Sequence, residues 1–189
     1  MLGKIKPPKN YLSFSAKYLV ILAVILALGL GIFWQVKNRE NRYLGDDFSI
    51  SVPAGWINQE SQVPQISAMF VNEEEMTASP AASFQSYLAV SSQKEKGKTL
   101  NDVVEEIKQA MIESSGEAKV ENESDGFVGG QFAKFMEIKI SGQGKSFSSL
   151  FVIIPKGENF FYITTYTTSD KWDGYKNTFY QTAKSFKIN

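Results

Sequence analysis

Phe48-Ser49-Ile50-Ser51-Val52-Pro53-Ala54-Gly55-Trp56 is the stretch that decides the fold. Apolar and polar residues alternate through Val52, the two-residue period of a strand with one buried face. Pro53 and Gly55 then turn the chain, and Trp56 supplies a large apolar anchor beyond the turn. A β-sheet domain therefore begins here.

The pattern continues outward from that point. Residues 66–71 predict a second strand. Residues 72–83 hold Glu73, Glu74 and Glu75, then small residues and Pro80, which predicts a mobile loop. Strand character resumes over 84–91, and 93–98 read as a charged turn around Gly97. Thr99 is placed to cap a helix, with Asp102 three positions on as a weaker form of the capping box. Leu100, Val103, Val104, Ile107 and Met111 then recur at helical spacing, and Gly116 should end the helix. A short strand is expected over 119–123, a hairpin turn at Asp125-Gly126, and strands over 132–140, 147–154 and 160–168. Ser169 or Asp170 can cap a last helix carrying Trp172, Tyr175, Phe179 and Ala183. Strands joined by short turns, with the helices segregated, imply an α+β domain: an antiparallel β-sheet flanked by helices.

Toward the N-terminus the composition changes. Residues 18–36, opened by Tyr18 and closed by Val36, contain no charge, and Phe33 and Trp34 lie near their far end. As a helix they would extend about 28 Å, one hydrocarbon thickness. The reading is one N-terminal transmembrane helix that serves as an anchor, with the lipid bilayer as its partner. The competing reading is a cleaved signal peptide, whose apolar core is shorter and ends in a small-x-small site; Gly29-Leu30-Gly31 is the best such site, but bulky Ile32, Phe33 and Trp34 follow it. The domain plan is a basic cytoplasmic N-terminus over 1–17, the span over 18–36, a tether over 37–46 and the α+β domain over 47–189.

Charge agrees with this plan. The whole chain has 20 basic and 20 acidic residues. Up to Arg42 there are seven basic residues against Glu40 alone; from Tyr43 onward 13 lysines face 19 acids. A segment of net charge +6 thus precedes a body of −6. The basic excess before the span places the N-terminus inside and the body outside the cytoplasm, on the cell membrane. An acidic body repels phosphates, so no nucleic-acid partner is expected. The chain has no His and no Cys, which excludes Ser-His-Asp triads, thiol nucleophiles and His- or Cys-based metal centres. No enzyme is expected.

The opening strand and turn, Phe48 to Trp56, resemble those of PsbP-like proteins. The ending, Trp172-Asp173-Gly174-Tyr175 with Phe179, Ser185 and Phe186, is similar to the closing helix and strand of the same family, and the helix capped by Thr99 falls where that family has its first long helix. The resemblance covers about residues 43–188. It implies an α/β/α sandwich. For PsbP proper it implies a lumenal photosystem II subunit that supports calcium and chloride retention. Lacking His and Cys, this chain departs from the metal-linked and lipid-anchored members, so the fold transfers better than the photosynthetic role.

Two sets of residues are candidate sites. Glu121, Glu123 and Asp125, followed by Gly126, echo the start of an EF-hand loop and could hold calcium weakly, although Phe132 stands where the closing Glu belongs; an exposed strand end and turn is the plainer reading. Tyr162, Tyr166, Trp172 and Tyr175 could line a binding groove, or be core. No cofactor other than calcium is expected. The functional expectation is a non-catalytic binding or assembly domain for a membrane or envelope protein, with a small-ligand or cation-binding accessory domain, photosystem-associated as in PsbP, as the alternative.

Overall fold

The computed structural model describes residues 41–78, 86–115, 118–142 and 144–189. The expected basic N-terminus, the membrane span and the Gly116 helix stop lie outside these residues. Among the described residues no helix is long and apolar enough to cross a membrane.

Among the described residues, ten strands and three helices follow in the order β1 (Asn41–Leu44), β2 (Phe48–Val52), β3 (Trp56–Asn58), β4 (Ile66–Asn72), α1 (Glu73–Ala78), β5 (Tyr87–Lys94), α2 (Leu100–Ser115), β6 (Ala118–Val128), β7 (Gln131–Gly142), β8 (Lys145–Lys156), β9 (Asn159–Thr168), α3 (Trp172–Ser185) and β10 (Lys187–Ile188). Seven strands form one antiparallel sheet, ordered β3-β4-β5-β9-β8-β7-β6. A small second sheet, β1-β2-β10, is closed by the C-terminal strand pairing Lys187 with Ser49 and Ile188 with Phe48.

Period-two alternation assigns the faces. On β9, Phe161 and Ile163 enter one core with Ile50, Trp56, Phe70, Leu88, Phe179 and Phe186, beneath α3 and the small sheet. Phe160 and Tyr162 enter the other with Met136, Ile138 and Ile153, beneath Val103 and Val104 of α2. Both sheet faces are therefore core, as in an α/β/α sandwich. The Thr99 cap forms as expected: its backbone N–H donates to Asp102 Oδ2 at 2.8 Å, and the Asp102 N–H donates to Thr99 Oγ1 at 3.2 Å.

Several expectations are corrected. Asn41–Leu44 is not tether but strand β1, because Asn41 to Leu44 pair antiparallel with Val52 to Ser49; the ordered domain thus starts inside the expected 37–46 linker. Residues 73–78 are not loop but helix α1, started by the Glu75 N–H donating to Asn72 Oδ1 at 3.1 Å. The hairpin does not turn at Asp125-Gly126. Strand β6 runs on to Val128, and Gly129 and Gly130, at φ 56° and 83°, make the turn. Two successive positive φ values are the requirement of a two-residue primed turn. Neither Ser169 nor Asp170 is the cap of α3. Lys171 holds that position without a side-chain cap bond, and the Ser169 hydroxyl lies instead at 2.9 and 3.0 Å from those of Ser146 and Ser148.

Candidate functional site

Strand starts and ends fix what each end of the seven-stranded sheet presents. The starts of β4, β7 and β9 and the ends of β5, β6 and β8 lie together, since the ladder pairs Ile66 with Ser91, Lys94 with Asn159, Lys156 with Asn159 and Val128 with Gln131. This end, the hairpin end, carries most of the exposed large apolar side chains among the described residues: Leu44 at 75%, Val63 at 50%, Phe127 at 70% and Phe132 at 48%. Phe127 and Phe132 face each other across the β6–β7 hairpin with ring centroids 5.8 Å apart, edge to face. The tip of that hairpin rests on β10, where a Cβ on Gly129 would lie 2.9 Å from the Phe186 carbonyl oxygen and 3.3 Å from Lys187 Cα. Lys187 pairs with Ser49, and Ser49 with Leu44, so Leu44 stands two strands away from the hairpin tip.

The polar side chains near α3 do something different. Lys171 and Tyr175, one helical turn apart, both donate to Glu75 Oε1, at 2.8 and 3.0 Å. Glu75 Oε2 accepts the Ser86 N–H at 2.6 Å, and Asn72 Nδ2 donates to the Tyr175 oxygen at 3.0 Å. The next such pair, Lys176 and Tyr180, repeats the arrangement on the buried carboxylate of Glu137: Lys176 reaches Oε2 at 2.7 Å and Tyr180 reaches Oε1 at 2.9 Å, with Asn122 adding a bond at 3.2 Å. Burial pushes both carboxyls up, but these donors outweigh it and hold each below the ordinary glutamate range. Burial, reinforced by the Glu75 carboxylate, pushes the Tyr175 phenol up to about 12. Both clusters are internally satisfied and hold α3 to α1 and β7; neither presents a free nucleophile or base. The sequence signal for them is the tandem Lys-x-x-x-Tyr-Lys-x-x-x-Tyr over 171–180, which puts each Lys above its Tyr on the helix. Sequence reasoning missed it because the two carboxylates lie far away in the chain.

The calcium candidates lie along β6, not in a loop. Glu121 falls where the β6–β7 register shifts, between Val120 and Asn122. Glu123 is held by Lys108 at 2.6 Å and Lys134 at 3.2 Å, and Asp125 by Lys134 at 2.6 Å. A lysine ammonium thus occupies the space between two of the three carboxylates. Among the described residues no three potential ligands gather as a metal ion would need. The groove aromatics are divided between the faces of the sheet. Tyr162 packs in the α2 core, and Tyr166 stacks between Tyr87 and Phe147, at 5.5 and 5.1 Å. Trp172 and Tyr175 lie against Phe179 on the α3 side. The four do not line one groove.

The sequence model of the PsbP family matches residues 40–188. The chain belongs to the PsbP family. Solved structures agree on the fold. Cyanobacterial PsbP from Synechocystis sp. PCC 6803 is 19% identical and superposes with a TM-score of 0.61, over 79% of this chain and 92% of that one. LpqN of Mycobacterium tuberculosis, described as involved in cell envelope biogenesis, is 15% identical with a TM-score of 0.55, over 80% of this chain and 91% of its own. A protein of unknown function from Pseudomonas aeruginosa is 15% identical at 0.53, over 77% and 94%. At these identities the likeness is one of fold. No curated protein matches the sequence.

Proposed function

We propose that this PsbP-family domain is a non-catalytic binding or assembly module, tethered outside the cytoplasm by residues 18–36 and docking a membrane or envelope protein. The observation that carries the reading is the hairpin end. Leu44, Val63, Phe127 and Phe132, from separate turns and strands, are exposed there at 48–75%, whereas the half-buried carboxylate of Glu75 and the buried one of Glu137 are spent on holding α3 in place. Phe127 and Phe132 form an exposed aromatic pair on the β6–β7 hairpin; exposed apolar surface is a usual mark of a protein-binding site, and aromatic side chains dominate the energetics of such contacts. The cell-envelope role of LpqN is compatible with such a module. Calcium finds no support in β6, where lysines already neutralise Glu123 and Asp125.

The test is quantitative co-purification of the full chain from membranes in mild detergent. A defined set of envelope proteins should accompany the wild type and fall several-fold with Phe127→Ser/Phe132→Ser, whose melting temperature should stay close to wild type because both rings are exposed. Equal capture by the double variant, or no partner for either protein, overturns the reading. Anchoring is tested separately: the protein should stay in the membrane after a carbonate wash, and protease added to spheroplasts should digest the body. A shortened soluble form would mean cleavage, and protection would mean reversed topology.

A further inference from the structure

A cavity of about 340 Å³ opens between the β1–β2 turn and the large sheet, at the hairpin end. This lies at the small end of the range of ligand pockets, about 300–1,000 Å³, and suits one side chain or a small amine. Tyr43, Phe48 and Phe161 are among its lining residues. Phe48 and Phe161 are 3% and 5% exposed, and both pack on Phe186. Ser67 and Ser92 form the far wall. Ser67 sits where the β4–β5 register shifts between Ile66 and Ala68, so it is the bulged residue, and bulges of this kind re-aim a side chain beside a site. The near wall is the turn, with Asp46 and Asp47. The turn is held from behind: the Asn189 N–H donates to the Asp47 carbonyl at 2.9 Å and Asn189 Nδ2 to the Gly45 carbonyl at 3.2 Å. Both aspartates are exposed, and neither carboxylate has an ion-pair partner among the described residues, whereas Lys94 is already paired with Glu158 at 3.0 Å.

We propose that this pocket is a subsite for a primary ammonium carried on an alkyl stem. Half-buried Tyr43 takes the stem and attracts the cation, the serine hydroxyls accept its N–H donors, and the two carboxylates supply the counter-charge. An anion would be repelled by Asp46 and Asp47, and the net −6 of the body adds long-range attraction for cations. The ammonium can come from a lysine of a docked protein or from a free diamine. The lysine source rests on the binding-module reading above; the pocket's preference for the ammonium does not.

The experiment uses the full chain, isotope-labelled in detergent micelles, and follows the backbone amide signals of Asp47, Ser67 and Ser92. Nα-acetyl-lysine methylamide should shift these signals saturably, and its uncharged analogue Nα-acetyl-norleucine methylamide should not. Asp46→Asn/Asp47→Asn, at exposed positions that leave the remaining spectrum unchanged, should weaken lysine-probe binding about fivefold, and added salt should weaken it further. Tighter binding of putrescine than of the lysine probe assigns the free diamine; the reverse order assigns a partner's lysine. Equal shifts with the norleucine probe, no shift at the three amides, or unchanged affinity in the double variant overturns the subsite. Loss of lysine binding with envelope proteins still captured would sink the subsite alone. Lysine binding without capture would sink the module reading alone.

Discussion

Gly129 illustrates how much a single residue can decide. Its φ of 56° is left-handed, and a Cβ there would press to 2.9 Å on the Phe186 carbonyl oxygen. That obstacle is backbone and cannot swing away as a side-chain tip could. Gly129→Ala should therefore cost about 1–3 kcal/mol, read from urea denaturation, and should also loosen β10. Glu137 is the corresponding polar case. Glu137 is 8% exposed, and its carboxyl accepts from Lys176, Tyr180 and Asn122. Burial raises its pKa, the three donors lower it, and the net is below the ordinary 4.5. A folded value depressed in this way gives stability that is fully present above about 4.5 and is lost as pH falls through the folded value; Glu75 behaves in the same direction. Melting temperature should hold above about pH 5 and fall on acidification, and Glu137→Gln should flatten that fall while lowering stability at neutral pH. An acid limb unchanged in Glu137→Gln would remove Glu137 from this account. Neither residue's role was legible in sequence, because each depends on a neighbour distant in the chain: Phe186 for Gly129, and Lys176 for Glu137.

At the scale of elements, local chemistry was readable wherever it was sufficient. The Thr99–Asp102 box lies within four residues, needs no tertiary partner, and forms as expected. Thr99→Ala should lower stability by about 1 kcal/mol, measured by thermal melting, with α2 fraying first in hydrogen exchange. The strand over 160–168 and its two faces were equally legible, because alternation alone sends Phe161 and Phe160 to opposite cores. Errors came where an element is made by its partner. Residues 41–44 carry no strand pattern and become β1 by pairing with β2. Residues 73–75, three consecutive glutamates, look like loop, yet they begin a helix because Asn72 caps it and Lys171, Tyr175 and the Ser86 N–H claim Glu75. The β6 turn was misplaced for another reason. Asp-Gly and Gly-Gly both signal a hairpin, and the long Ala118–Val128 ladder with β7 favours the later pair.

For the molecule as a whole, the −6 body and the apolar 18–36 run set the expectation of an anchored domain with its own core. The family and the antiparallel sandwich follow from the pattern of the chain and from the match over residues 40–188. What the sequence by itself determined is whatever depends on periodicity, local capping and composition: β2 and the six strands β4 to β9, the two long helices, the acidic balance of the body, and the exclusion of His- and Cys-based chemistry. The tertiary structure alone decided which exposed apolar residues share an end of the sheet, which carboxylates are already neutralised by lysine, and where a pocket opens beside Asp46 and Asp47. The physical reason is separation along the chain. Leu44, Val63 and Phe127 are tens of residues apart, and Asp46 shares a cavity with Ser92 and Phe161 because the small sheet packs on the large one, a packing that periodicity, which predicts strands one at a time, cannot supply.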